Sequence, residues 1–211
     1  MLLGWWQLER LEWKKNLLAN IENNLQSVVN FPFNDDESDK YKYMNSEIEG
    51  KFMKEKAMYF YKSNLNGKSG FRVIIPFQTL QQKVVYVDIG WIQYKQKDNI
   101  NLNFVDKDKI FKISGTLLYS EERKVFTPEN DYVNNTWFLL NIDEMNLKHN
   151  LKASNYILKL KNQKYFKELL IEFNPTNISN NHLEYAITWF LMAFVILMLY
   201  FYLIKQQFRH K

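Results

Sequence analysis

From Tyr185 to Ile204 the chain reads YAITWFLMAFVILMLYFYLI, twenty residues without a charge. At ~1.5 Å of rise per residue, a helix of that length crosses the ~30 Å hydrocarbon core of a bilayer. Tyr185 and Trp189 stand at one end and Tyr200 and Tyr202 at the other, where interfacial aromatics belong. A buried core helix is the competing account, but a run this long and apolar on every face rarely belongs to so small a domain. The pattern therefore predicts a membrane span. The tail that follows, KQQFRHK, is short and basic, whereas the charges of the long preceding segment count little toward orientation. The tail is expected in the cytoplasm or mitochondrial matrix, and the rest of the chain in the periplasm or intermembrane space.

The opposite end, MLLGWWQLERLEWKKNLL, carries Leu8, Leu11, Leu17 and Leu18 at helical spacing, with Arg10 and Lys14 also one turn apart. It predicts an amphipathic helix too short and polar to span, without a signal-peptide cleavage pattern. It reads as the outer end of a helix whose membrane portion is absent.

Between about Asp39 and Phe173 the pattern changes to strands. Phe71–Phe77, Val84–Asp88, Ile110–Tyr119 and Thr136–Ile142 are rich in β-branched and aromatic residues. Asn66-Gly67, Ser69-Gly70, Pro128 to Asp131 and Asn134-Asn135 supply turns. Asp143 is a candidate N-cap for a short helix over Glu144–His149. Phe33 to Lys40 forms an acidic linker. The expected fold is a membrane-anchored α+β chain: an antiparallel β-barrel or sandwich flanked by an N-terminal helix and a C-terminal transmembrane helix. The expected divisions are 1–30 for the helix, 31–178 for the β-rich domain, 179–204 for membrane entry and span, and 205–211 for the tail.

Composition narrows the function. The net charge is +5 over 211 residues, and Lys205, Arg209 and Lys211 place three of those charges in the tail. What remains is too little for a nucleic-acid footprint. With no cysteine, disulfides, thiol nucleophiles and Cys-based zinc sites are excluded. No phosphate loop, nucleophile elbow or metalloprotease motif occurs, so no enzyme activity is expected. Asp35-Asp36-Glu37, Glu121-Glu122, Asp106 and Asp108 read as solvated loop charges.

Of the three histidines, His210 lies in the tail and His149 ends the short helix, where histidine often caps carbonyls. His182 stands where the chain enters the membrane, sharing one helix face with Tyr185, Ala186 and Trp189. Two readings of it stay open: an anchor or cap at the helix start, or an axial ligand for haem iron.

Four blocks then stand in order along the chain. Gly4-Trp5-Trp6-Gln7 leads through Arg10 and Trp13 to Lys14; Gly70 to Pro76 is followed by Val87-Asp88-Ile89-Gly90-Trp91. Gly115-Thr116-Leu117, Phe126-Thr127-Pro128 and Asn135 to Phe138 form the third, and Asn180 to Phe190 the fourth. Together they resemble the Surfeit locus protein 1 family, assembly factors of haem-copper cytochrome c oxidase. Gly50, Gly70, Gly90 and Gly115 all flank strand-like runs, as bends or bulges would require. Trp91 and Trp137 are expected in the core, and Trp6 and Trp189 are placed to pack on each other at the membrane surface.

The resemblance implies two spans around a β-rich domain in a bacterial cytoplasmic or mitochondrial inner membrane, and a chaperone-like role in early maturation of oxidase subunit I alongside other assembly factors. It implies haem a as a transient cofactor, with His182 as ligand of the haem iron. Trp6, Gln7, Tyr185 and Trp189 would line the same site, and Arg10 or Lys14 would pair with propionates. The alternative is a permanent structural accessory subunit of the oxidase that binds no cofactor. The chain departs from the family at Ile89, where Arg is usual, and in starting almost at the first block, where family members place a span.

Overall fold

The computed structural model describes residues 2–33, 40–64, 66–100, 102, 109–161, 166, 169–171 and 180–209. Asp35, Asp36, Glu37, Asp106, Asp108 and His210 lie outside them. Two compact units result, Asn24–Asn174 and a pairing of Met1–Asn23 with Pro175–Lys211.

In chain order the elements are helix α1 (Leu2–Gln26), strands β1 (Asn45–Phe52), β2 (Met58–Tyr61), β3 (Gly70–Thr79), β4 (Val84–Gln93), β5 (Phe111–Tyr119) and β6 (Thr136–Trp137), helix α2 (Ile142–His149), strand β7 (Ala153–Leu160) and helix α3 (His182–Arg209). The strands follow the order β1-β5-β7-β4-β3, and β1 returns to pair with β3 through Gly50↔Thr79, Lys51↔Gln78 and Phe52↔Phe77. The ring is thereby closed, as a barrel. β2 continues along the first half of β3, and β6 pairs on its far side.

Most pairs are antiparallel, but β4–β7 and β2–β6 are parallel. β7 enters between β4 and β5 after the connection that carries α2, and a parallel neighbour needs such a crossover.

Burial explains the sequence pattern. β1 alternates, with Glu47, Glu49 and Lys51 outward and Ile48 and Phe52 inward. β3 and β4 are covered on both faces, so their runs are almost continuously apolar. Val73, Ile75, Phe77, Val85, Val87 and Ile89 fill the barrel. Ile74, Tyr86 and Ile157 point outward into a second cluster beneath Ile142 and Met145 of α2, with Trp137. Trp91 and Trp137 are core residues, as expected; their indole N–H groups reach Lys62 O at 2.7 Å and Asn135 Oδ1 at 3.0 Å.

α2 begins two residues earlier than the pattern suggested. Asn141, not Asp143, is the N-cap, its Oδ1 accepting from the Glu144 N–H at 3.0 Å. Asp143 falls in the first turn, where the helix dipole also favours a carboxylate. His149 does not cap carbonyls: its ring stacks on Trp137 with centroids 6.5 Å apart, and Nε2 is buried without a partner among the described residues.

Gly90 is one of the bends anticipated. It has φ +137°, and a Cβ there would lie 2.9 Å from Leu169 Cβ. The β3–β4 register shifts beside it, at Val73/Ile74.

In the other unit α1 and α3 run antiparallel, since Gly4 meets Phe190 while Gln7 meets His182. Ala186 is buried between these contacts. A Cβ on Gly4 would sit 2.7–2.9 Å from the Phe190 ring, so glycine lets the helices approach. The segment His182–Gln207 has a mean hydropathy of 2.4 in its most apolar window, and none of that window is buried. A soluble core helix would be mostly covered; this one turns Leu191, Phe194, Val195 and Met198 outward, as a span facing lipid does.

Candidate functional site

Gln7, Arg10 and Lys14 share one face of α1 at i, i+3 and i+7, and His182, Tyr185 and Trp189 share one face of α3 in the same way. The two faces meet at Gln7 and His182. His182 is the first residue of α3, and its Nδ1 lies 2.6 Å from Gln7 Oε1. An amide oxygen accepts but cannot donate, so with Gln7 Oε1 facing it Nδ1 carries a proton, and in the neutral ring Nε2 then holds the lone pair. Nε2 makes no hydrogen bond among the described residues. A metal-ligating histidine is prepared in this way, one ring nitrogen oriented by an acceptor and the other left open. Two residues earlier, Asn180 Oδ1 is buried with no partner among the described residues.

The donor set decides which metals suit the site. Among the described residues no group of three or more His, Cys, Asp or Glu side chains converges. One imidazole is too few for a bare divalent ion, which needs three or four protein ligands. It is enough for an iron already held in the plane of a macrocycle. Among the described residues, the one open imidazole is compatible with an iron already held in a macrocycle.

The other expected site residues lie on these helices but are not drawn into one cluster. Trp6, Tyr185 and Trp189 are exposed, and no ring contact joins Trp6 to Trp189. Arg10 stacks over the Trp13 ring at 4.2 Å, and Trp5 Nε1 donates to Glu9 Oε1 at 3.1 Å. Lys14 is half-buried.

The barrel holds a feature the sequence did not single out. The wholly buried Asp88 carboxylate accepts at Oδ2 from Arg72 Nε and Lys159 Nζ, both at 2.8 Å, and also from Arg72 Nη2; Oδ1 accepts from the Gly90 N–H at 3.1 Å. Burial alone would raise the carboxyl pKa, but Arg72 and Lys159 outweigh it and hold Asp88 below the usual carboxylate range. The signal was one charge in each of three otherwise apolar runs: FRVIIPF, VVYVDIGW and YILKL. Ile89, where the family usually has Arg, lies in β4 with its side chain in the barrel core.

The pattern defining the SURF1 family matches residues 1–194. The SURF1-like protein of Rickettsia conorii is 32% identical over 206 residues, covering 94% of this chain and 83% of that protein. The SURF1-like protein of Rickettsia felis is 30% identical over 205 residues, covering 94% and 88%. Surfeit locus protein 1 of Gallus gallus is 26% identical over 161 residues, 68% of this chain and 52% of its own length. Matched from the helix that carries Gln7 to the helix that carries His182, the chain belongs to the SURF1 family.

Proposed function

We propose that this protein is a membrane-anchored assembly factor for haem-copper cytochrome c oxidase, holding haem a on His182 until it passes to subunit I. The family, one of oxidase assembly factors, supports the general role. The hydrogen bond between Gln7 and His182 carries the specific one. Haem a is the cargo, and His182 would hold its iron through the open Nε2. Gln7 fixes the tautomer and the ring plane. Trp6, Tyr185 and Trp189 offer aromatic surface to the macrocycle, and Arg10 and Lys14 pair with its propionates. The work is binding and handover; no bond of the cargo is made or broken, and the protein is not an enzyme. α3 anchors it in the bacterial cytoplasmic or mitochondrial inner membrane, with the barrel in the periplasm or intermembrane space.

The test uses protein purified in mild detergent from cells that make haem a, beside His182→Ala. The visible spectrum and the pyridine adduct of the extracted pigment are recorded. Haem a in the wild type and its loss in the variant are expected. A variant that keeps haem a with an unchanged spectrum would remove His182 as ligand. Stoichiometric co-purification with mature oxidase, with no haem a beyond that of the oxidase, would identify a permanent accessory subunit instead.

A further inference from the structure

On the outer face of the barrel, Arg72 borders an open cavity of about 830 Å³. Its side chain keeps 15% exposure while its Nε and Nη2 are committed to Asp88. Asp88 thus locks the guanidinium plane, and Nη1 makes no hydrogen bond among the described residues. Tyr119 and Phe138 give the cavity aromatic walls, Phe126 stands exposed at its mouth, and Lys42 and Lys124 stand at it with Glu121 and Glu122. Small-molecule sites are of this size and combine apolar walls with a few placed polar groups.

We infer that this cavity binds a carboxylate carried on an apolar or aromatic body, the carboxylate resting on Arg72. A half-buried guanidinium with one edge anchored loses little entropy in gripping a second carboxylate, and low dielectric strengthens the bond. The lining charge favours a monoanion. Arg72, Lys42 and Lys124 exceed Glu121 and Glu122 by one positive charge, while behind the wall Asp88 and Lys159 balance each other. A phosphate dianion would bring a second charge that this excess does not neutralise, together with a larger desolvation cost. The site lies on the outer face of the barrel and does not depend on haem binding at His182.

The experiment takes the full chain in detergent and follows 3-(4-trifluoromethylphenyl)propionate by ¹⁹F NMR, beside the primary amide of the same body and with inorganic phosphate as competitor. The carboxylate is expected to bind at least ~tenfold tighter than the amide, the scale of one charge-assisted hydrogen bond, and phosphate is expected not to displace it. Arg72→Gln abolishes the preference. Because that variant also disturbs Asp88, Phe126→Glu is the companion: the side chain is 95% exposed, so packing is spared while a negative charge enters the mouth. It weakens the carboxylate at least ~fivefold and leaves the amide unchanged, an electrostatic effect in a partly desolvated site. Equal affinity for acid and amide in the wild type, or a preference that Phe126→Glu leaves undiminished, would overturn the site. Displacement by phosphate would overturn the carboxylate assignment.

Discussion

Replacing Asp88 with asparagine keeps the shape of the side chain and removes its charge. Arg72 and Lys159 then remain as buried cations whose shared counter-ion, 2.8 Å from each, is gone. Breaking a buried ion pair by removing one partner costs ~3–5 kcal/mol, because the leftover charge stays desolvated. For a unit of about 150 residues, each kcal/mol is ~2–4 °C, so melting should fall by on the order of 10 °C. The assay is urea unfolding of the full chain in detergent, read by near-ultraviolet circular dichroism, to which the packed Trp91 and Trp137 contribute. The triple variant Arg72→Met, Asp88→Leu, Lys159→Met, which replaces ions by apolar groups, should recover most of the loss. pH gives a second reading. The Asp88 pKa is depressed in the fold, so its stabilisation is complete above the unfolded value of ~3.9 and drains as pH falls through the folded value. Asp88→Asn lacks this acid limb, so the two stability curves stay parallel from about pH 5 to 8 and converge in acid. A loss under ~1 kcal/mol at neutral pH would refute the claim that the two cations depend on this carboxylate.

Gln7→Leu removes the acceptor from His182 Nδ1 and should weaken haem a retention ~10–100-fold in a spectral titration. Unchanged retention would show that Gln7 does not orient the ligand. Gly4→Ala pushes the Phe190 ring and should cost ~1–3 kcal/mol of helix packing, seen as altered ¹⁵N shifts of the His182 ring. Adding Phe190→Leu should restore those shifts; failure to do so would place the strain elsewhere. His149 has its pKa lowered by burial, then by Lys56 and Lys148, so the unfolded chain takes up more protons and stability should decline as pH drops below ~6.5. His149→Phe should flatten that slope in urea midpoints at pH 5, 6 and 7.5, and equal slopes would exonerate the histidine.

The elements most visible in the sequence are those whose causes are local. Twenty uncharged residues mark α3 without help from any partner, and the 3.6-residue spacing of leucines marks α1. The apolar runs of β3 and β4 announced strands, and Gly90 a bend. α2 was misplaced by two residues because Asn141 and Asp143 are both good caps, and only the Glu144 N–H chooses between them. What escaped was set by distant pairs. Asp88 meets Arg72 across 16 residues and Lys159 across 71, and a single charge in an apolar run does not name its partner. The parallel β4–β7 pair depends on where β7 enters the ring. His182 stood out on its helix face and Gln7 in its block, but their hydrogen bond spans 175 residues of sequence.

The position of β7 governs when the barrel can form. β1, β3 and β5 all precede α2 in the chain, yet the gap between β5 and β4 cannot be filled until Ala153–Leu160 has been synthesised. Only 21 residues then separate β7 from α3. At ~5–20 residues per second, the ribosome delivers the start of the span ~1–4 s after the last strand. Non-local strand pairing takes milliseconds to seconds. Folding of the barrel and delivery of α3 to the membrane therefore overlap in time.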